Sequence, residues 1–297
     1  MSLSYAGQQL TIYVGFFLVV VGVVGNGTNI LVFSSVRNYR KTPCTFYFLI
    51  GSIYNIAYLF INLISRIVMS GFGVDLTRTS VSWCKMRQFF LATLCLISLS
   101  CSGLATIDQF FATSKNASLR RLSNIKWSHR IVWIMKLVWC LHGIPFLLFF
   151  DISPVKQICM STSTAFAVYF PSIYILTINC AMPVVVMVLF DYLTYSNIQQ
   201  TRILAEQNAD RQLTRMILTI VLLVTVSYVP YGIYNIYILV TAGINKDPYR
   251  VLQENLAGTV ANLVCYFYFS VDSFWFLKLY NEELFVQILF REAVICF

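Results

Sequence analysis

Long apolar runs separated by short polar joins dominate the chain. Seven runs can be marked, at roughly 11–35, 44–69, 86–111, 130–150, 165–192, 213–241 and 255–279. Each is long enough for a helix to cross a hydrocarbon core of about 30 Å with some tilt. Backbone N–H and C=O groups have no water partner in lipid, and none of the runs alternates apolar and polar residues as a barrel strand would. The pattern therefore predicts an all-α membrane protein, a bundle of seven transmembrane helices in one domain over residues 1–297. The third run is the most marked. From Cys84 to Asp108 it advances 24 residues, or about 36 Å as a helix, with a cysteine at one rim and an acid at the other. No internal repeat is visible, nor the matched Gly/Pro breaks of an inverted-repeat transporter.

Composition agrees with a lipid solvent. Of the 297 residues 58% are hydrophobic and 11% charged, where soluble domains carry about 25% charge. The net charge of +9 is accordingly read by side of the membrane and not as a nucleic-acid footprint. Thirteen Lys and Arg residues fall on one side: Arg37, Arg40 and Lys41, then Lys115 to Arg130, then Arg202, Arg211 and Arg215, then Lys278 and Arg291. The other side holds Arg78, Lys156, Lys246 and Arg250, with Lys85 and Arg87 at a helix mouth. The excess assigns the first side to the cytoplasm, which puts the N-terminus outside and the C-terminus inside. Residues 1–10 contain no Lys or Arg, so the first run is expected to act as its own insertion signal. After the seventh run, Leu284, Phe285, Ile288, Leu289 and Val294 fall near one helical face. They predict an interfacial helix over about 281–293. Cys296 beside it is either a palmitoylation site or a free thiol.

Polar residues inside the runs each need a reason, because they are costly in lipid. Asn26 and Asn29 in the first run, Asn55 in the second, Ser98 in the third and Asp272 in the seventh are expected to form a buried polar core. Pro145, Pro183 and Pro230 lie in the fourth, fifth and sixth runs. Each frees a carbonyl, and Pro183 and Pro230 are candidate hinges. Tyr231, Tyr234 and Tyr237 follow Pro230 on one face of the outer half. Arg66 and Arg87 either snorkel to the interface or line a vestibule with these tyrosines and Tyr266. The second arrangement would suit a short peptide or another ligand with an anionic group. Of nine cysteines, Cys84 and Cys159 stand outside the apolar runs on the outer side and suit an oxidising exterior.

Together these residues resemble the rhodopsin-like (class A) G-protein-coupled receptors, over the whole chain. The resemblance rests on Gly25-Asn26, Cys84 with Cys159, Asp108 at the inner end of the third helix, Trp139, Pro183 and Pro230, in that order and spacing. The short loops and the run Ile107 to Ser114 look like invertebrate peptide receptors of the FMRFamide-receptor-like kind. The resemblance implies a Cys84–Cys159 disulfide, a ligand pocket drawn from Arg66, Arg87, Leu91, Tyr228, Tyr231, Tyr234 and Tyr266, and a G-protein switch at Asp108, Gln109 and Phe110.

The departures from the family pattern are specific. Its Asp-Arg-Tyr triplet stands here as Asp108-Gln109-Phe110, without the arginine that pairs with the acid at rest. Its second-helix aspartate is Asn55. Its Asn-Pro-x-x-Tyr is matched by Asp272 to Phe276, without proline or tyrosine, and its Cys-Trp-x-Pro by Ser227-Tyr228-Val229-Pro230. The retinal lysine has no counterpart between Leu263 and Phe269, and the acid of amine receptors is Leu91. Retinal and monoamines are thereby excluded, and no metal or other cofactor is implied. The expected function is a multi-pass plasma-membrane receptor that passes an extracellular signal, from a peptide or small molecule, to a heterotrimeric G protein. The alternatives are a receptor fold that binds ligand with weak or no coupling and, more remotely, a transporter or channel. An enzyme is not expected, since His129 and His142 are the two histidines and no Ser/His/Asp or metal-ligand set can be assembled.

Overall fold

A computed structural model gives the fold. It describes residues 3–35, 42–154, 157–200 and 208–271, with 199, 200 and 208–216 described by backbone alone. These residues form a bundle of helices. Six are long and apolar enough to cross a membrane: α1 (Leu3–Ser35), α2 (Pro43–Gly71), α3 (Val81–Thr113), α4 (Ile125–Phe149), α5 (Thr164–Ile198) and α6, whose apolar stretch is Ile217–Val240. Helix α7 (Pro248–Val271) closes the bundle. A two-stranded antiparallel hairpin, β1 (Phe150–Ile152) with β2 (Cys159–Ser161), follows α4. The final residues of the seventh run, Asp272, the expected interfacial helix and Cys296 lie outside the described residues, as do seven of the basic residues that sorted the two sides: Arg37, Arg40, Lys41, Lys156, Arg202, Lys278 and Arg291.

Local chemistry explains why several helices start earlier than the apolar runs. Ser80 accepts a hydrogen bond from the Trp83 N–H at 3.3 Å and starts α3. Asn124 accepts from the Lys126 N–H at 2.9 Å and starts α4. Pro43 sits in the first turn of α2, where its missing N–H costs nothing. Helix α1 extends back to Leu3, and there Gln8 Nε2 donates to the Gly71 carbonyl at 2.7 Å. Two helices are not uniform. Helix α2 carries π turns at Leu59–Leu63 and Ile67–Gly71, on either side of Ile64–Arg66. Helix α5 is π-wound from Phe170 to Ala181, a stretch that begins at Phe170-Pro171 and ends two residues before Pro183. Each π turn adds a residue, so the face presented beyond it rotates by about 100°.

Helix α3 is the centre of the bundle. Two-thirds (67%) of its apolar span is buried, against 17–44% for the other five spans. It packs on α2, α4 and α5. Around it α1 packs on α2 and α7, α7 on α6, and α6 on α5. Glycine permits the closest approaches. A Cβ on Gly22 would lie 3.1 Å from the Ser270 Cα, with the Leu59 side chain closer still, so α1 meets α7 backbone to backbone and receives a side chain of α2. A Cβ on Gly143 would lie 2.7 Å from Phe89 and Thr93, which seats α4 on α3. The outer faces of α1, α4, α5 and α6 are apolar: Tyr13, Leu31, Trp133, Leu137, Val185 and Leu222 are all exposed. In water such a belt would aggregate; against lipid tails it needs no cover. The fold is a multi-pass membrane helical bundle.

The polar residues inside the bundle tie the helices together. Asn26 Nδ2 donates to the Gly22 carbonyl at 2.8 Å and to the Phe269 carbonyl at 2.9 Å. Its Oδ1 accepts from Asn55 Nδ2 at 3.1 Å. Asn55 Oδ1 in turn accepts a short bond from the Ser98 hydroxyl. One relay therefore joins α1, α2, α3 and α7. Asn29 is not part of it and donates to Ser52 Oγ at 3.2 Å. Trp139 Nε1 donates to Ser100 Oγ at 2.8 Å and fixes α4 on α3. Lys136 lies over the rings of Tyr54 and Trp133, 5.3 and 5.0 Å from their centres, which shelters its charge among aromatic faces.

Candidate functional site

A cavity of about 220 Å³ opens at the end of the bundle that carries the hairpin. Cys84 and Cys159 form a disulfide there, with Cα atoms 5.7 Å apart, and tie β2 to the first turn of α3. Lys85 faces Asp151 of β1 at 3.8 Å and supports the same junction. The cavity is lined from α2 by Tyr58, Arg66 and Met69, from α3 by Arg87, Gln88, Leu91 and Cys95, from α5 by Phe170, Tyr174, Ile175 and Asn179, and from α6 and α7 by Tyr231, Asn262, Cys265 and Tyr266. Five of the seven expected pocket residues thus share one wall system: Arg66, Arg87, Leu91, Tyr231 and Tyr266. Tyr228 and Tyr234 do not line it. Tyr228 is fully buried below, its ring 6.0 Å from that of Tyr268. Tyr234 packs against Gly258 of α7. Asn179 and Asn262 also line the cavity and are not among the expected pocket residues; an asparagine inside an apolar run is the signal that marks each.

The floor of the cavity is polar. Cys95 Sγ donates to Asn179 Oδ1 at 3.0 Å and lies 3.4 Å from the Tyr228 hydroxyl. Beneath it the Ser102 and Tyr268 hydroxyls are 2.7 Å apart, linking α3 to α7. The rim is cationic. Arg87 is 7% exposed and donates from Nε to the neutral Ser65 Oγ at 2.8 Å. The Nε of Arg66 is buried without a hydrogen-bond partner, as is the Tyr174 hydroxyl. Neither arginine takes part in an ion pair among the described residues, and no acid lines the cavity.

Nearby, Glu254 fastens α6 to α7. It accepts from Lys246 Nζ at 2.7 Å, from the Tyr237 hydroxyl at 2.8 Å and from Arg250 Nε at 3.1 Å. The Lys246 ammonium, followed by Tyr237 and Arg250, holds the Glu254 carboxyl below its ordinary value. A second hollow, about 270 Å³, lies between α3, α4 and α5. Apart from Ser100 and the Trp139 indole its walls are aliphatic, and it offers nothing that would orient a polar ligand.

The other end of α3 carries Asp108, Gln109 and Phe110. Asp108 is 6% exposed and accepts hydrogen bonds from Ser123, in the connection to α4, and from the Cys44 N–H. The carboxylate therefore caps the first turn of α2, where an anion is favoured by the helix dipole. Gln109 is buried. Phe110 meets Phe190 of α5, ring centres 5.5 Å apart. Tyr47 of α2 bonds Ser128 of α4 nearby. Among the described residues no three metal-ligating side chains come together. No family model matches the chain, and no curated protein matches it either.

Proposed function

We propose that this chain is a rhodopsin-like G-protein-coupled receptor of the plasma membrane. In this reading seven helices cross the bilayer, with the N-terminus outside and the C-terminus inside. An extracellular ligand, a short peptide in the first instance, enters the cavity beside the disulfide. The observation that carries the reading is the layout of α3. Arg87, Leu91 and Cys95 line the cavity, while Asp108 lies buried 13 residues beyond Cys95, about 20 Å along the axis. Between them Cys95 touches Tyr228 of α6, two residues before Pro230. A ligand that shifts Cys95 or Tyr231 would bias the packing of α6 on α3 and so favour one of two bundle states. The Asp108, Gln109 and Phe110 end would then face the G protein.

Nucleotide exchange tests the proposal. The chain, reconstituted in nanodiscs with purified heterotrimeric G proteins of several classes, is screened against a library of short peptides. Exchange stimulated with one of those G proteins is the expected result. One observation favours a second reading, a ligand-binding receptor fold that couples poorly: Gln109, 2% exposed, carries no charge where the resembled family carries arginine. Binding without exchange across all classes would select that reading, and absence of both would refute the receptor assignment.

A further inference from the structure

The cavity holds two cations and no anion. A guanidinium removed from water needs a counter-charge or a full set of acceptors. Arg87 has one neutral acceptor, Ser65. Arg66 has a buried Nε with none. Both arginines line the same cavity as Tyr266. Glu254, which shares Tyr234 as a neighbour with Arg66, is already engaged by Lys246, Arg250 and Tyr237. Asp75, which lines a neighbouring hollow together with Arg87, accepts from Thr77 and Arg78. The described residues thus leave the two arginines uncompensated. The remaining walls are aromatic, from Tyr58, Phe170, Tyr174 and Tyr231, with the Tyr174 hydroxyl as a further unused donor.

We infer that the ligand presents a free carboxylate to Arg66 and Arg87, with an aromatic or apolar group against the tyrosines behind them. This rests on the cavity being the ligand site. Planar guanidinium forks match a carboxylate and give the strong charge-assisted hydrogen bonds that a carboxamide cannot. Size narrows the class further. About 220 Å³ falls short of the roughly 300–1,000 Å³ of sites that engulf a drug-sized ligand. The cavity takes a small organic acid, or the last residue or two of a peptide with an unmodified C-terminus. A C-terminally amidated peptide and a cationic ligand are both disfavoured.

The test is a binding measurement that does not depend on signalling. The full chain, purified in detergent, is heated while tryptophan fluorescence reports unfolding. The probes are hippurate and its neutral twin hippuramide, and the tripeptide Gly-Gly-Phe as free acid and as C-terminal amide. Ligand that binds the native state raises the midpoint by mass action. The acids are expected to raise it and the amides to leave it in place. A response to hippurate marks the small-acid source, and a response confined to Gly-Gly-Phe marks the peptide end. Arg66→Gln and Arg87→Gln should each weaken the acid response at least about tenfold, the scale of one charged hydrogen bond. Arg78→Gln, at an exposed loop arginine, should not. The acid-against-amide comparison uses the unaltered chain, so it stands even where a variant fails to fold. Equal responses to acid and amide, or no response to either acid up to about 10 mM, would overturn the inference. Acid-selective binding without nucleotide exchange would leave it intact and fail the coupling proposal alone.

Discussion

The Asn26–Asn55–Ser98 relay gives a prediction that can be worked through. All three side chains are buried at 0% exposure, so water cannot replace a deleted partner. Ser98→Ala removes the hydroxyl that donates to Asn55 Oδ1. An interhelical hydrogen bond in a membrane contributes about 0.6 kcal/mol on average and up to about 1.7. Asn55→Ala removes that bond and the donor to Asn26 Oδ1, leaving a buried acceptor exposed to a small void. An unsatisfied acceptor costs about 1–3 kcal/mol, so this variant should lose about 2–3 kcal/mol. With Asn55 gone, Ser98→Ala should cost almost nothing more. The double-mutant cycle should therefore show a coupling of about 0.6–1.7 kcal/mol. The assay is reversible unfolding in bicelles by titration with a denaturing detergent, for the wild type, both single variants and the double variant. Additivity within about 0.3 kcal/mol would mean the two side chains do not interact, and the relay would have to be abandoned.

Two other outcomes follow from the end of the bundle that carries the disulfide. Cys84→Ser opens the link between residues 75 apart and should cost about 2–4 kcal/mol; an unfolding midpoint equal to that of the wild type would contradict it. The Glu254 carboxyl is held low in the folded state, chiefly by Lys246. Its contribution is therefore fully present above the unfolded value of about 4.3 and disappears as pH falls through the lower, folded value. Stability should drop more steeply below about pH 4.3 in the wild type than in Glu254→Gln, and parallel pH curves would remove the α6–α7 clasp from the account.

Some of this was legible in the chain because it depends on composition and period. The lipid-facing belt, the helical runs and the inward asparagines follow from what the bilayer penalises, and that penalty acts on each residue locally. The relay could be anticipated as a cluster but not as a connectivity. Asn29 lies within one turn of Asn26, yet it bonds Ser52 while Asn26 reaches Asn55 and the Phe269 carbonyl. Helix rotation decides that, and rotation depends on packing. Spacing puts Tyr234 on the face of Tyr231, and the family resemblance adds Tyr228 to the pocket, but Tyr228 faces Cys95 below the cavity and Tyr234 fills the space over Gly258. Apolar runs alone place the starts of α3 and α4 too late, because the polar caps Ser80 and Asn124 extend each helix past its run.

The sequence by itself determined the solvent, the element type and which residues had to find partners. Every one of those follows from the cost of placing a backbone amide, an asparagine or an arginine in hydrocarbon. Only the tertiary structure decided who the partners are. Two π turns in α2 and a long one in α5 break the 3.6-residue period on which facing is computed. They aim Arg66, Tyr174 and Asn179 in directions no uniform helix predicts. Arg87 is set against Ser65, on the turn between the two π segments of α2, in a cavity that no acid lines. That lack of counter-charge arises from the register of the helices, and the carboxylate proposal rests on it.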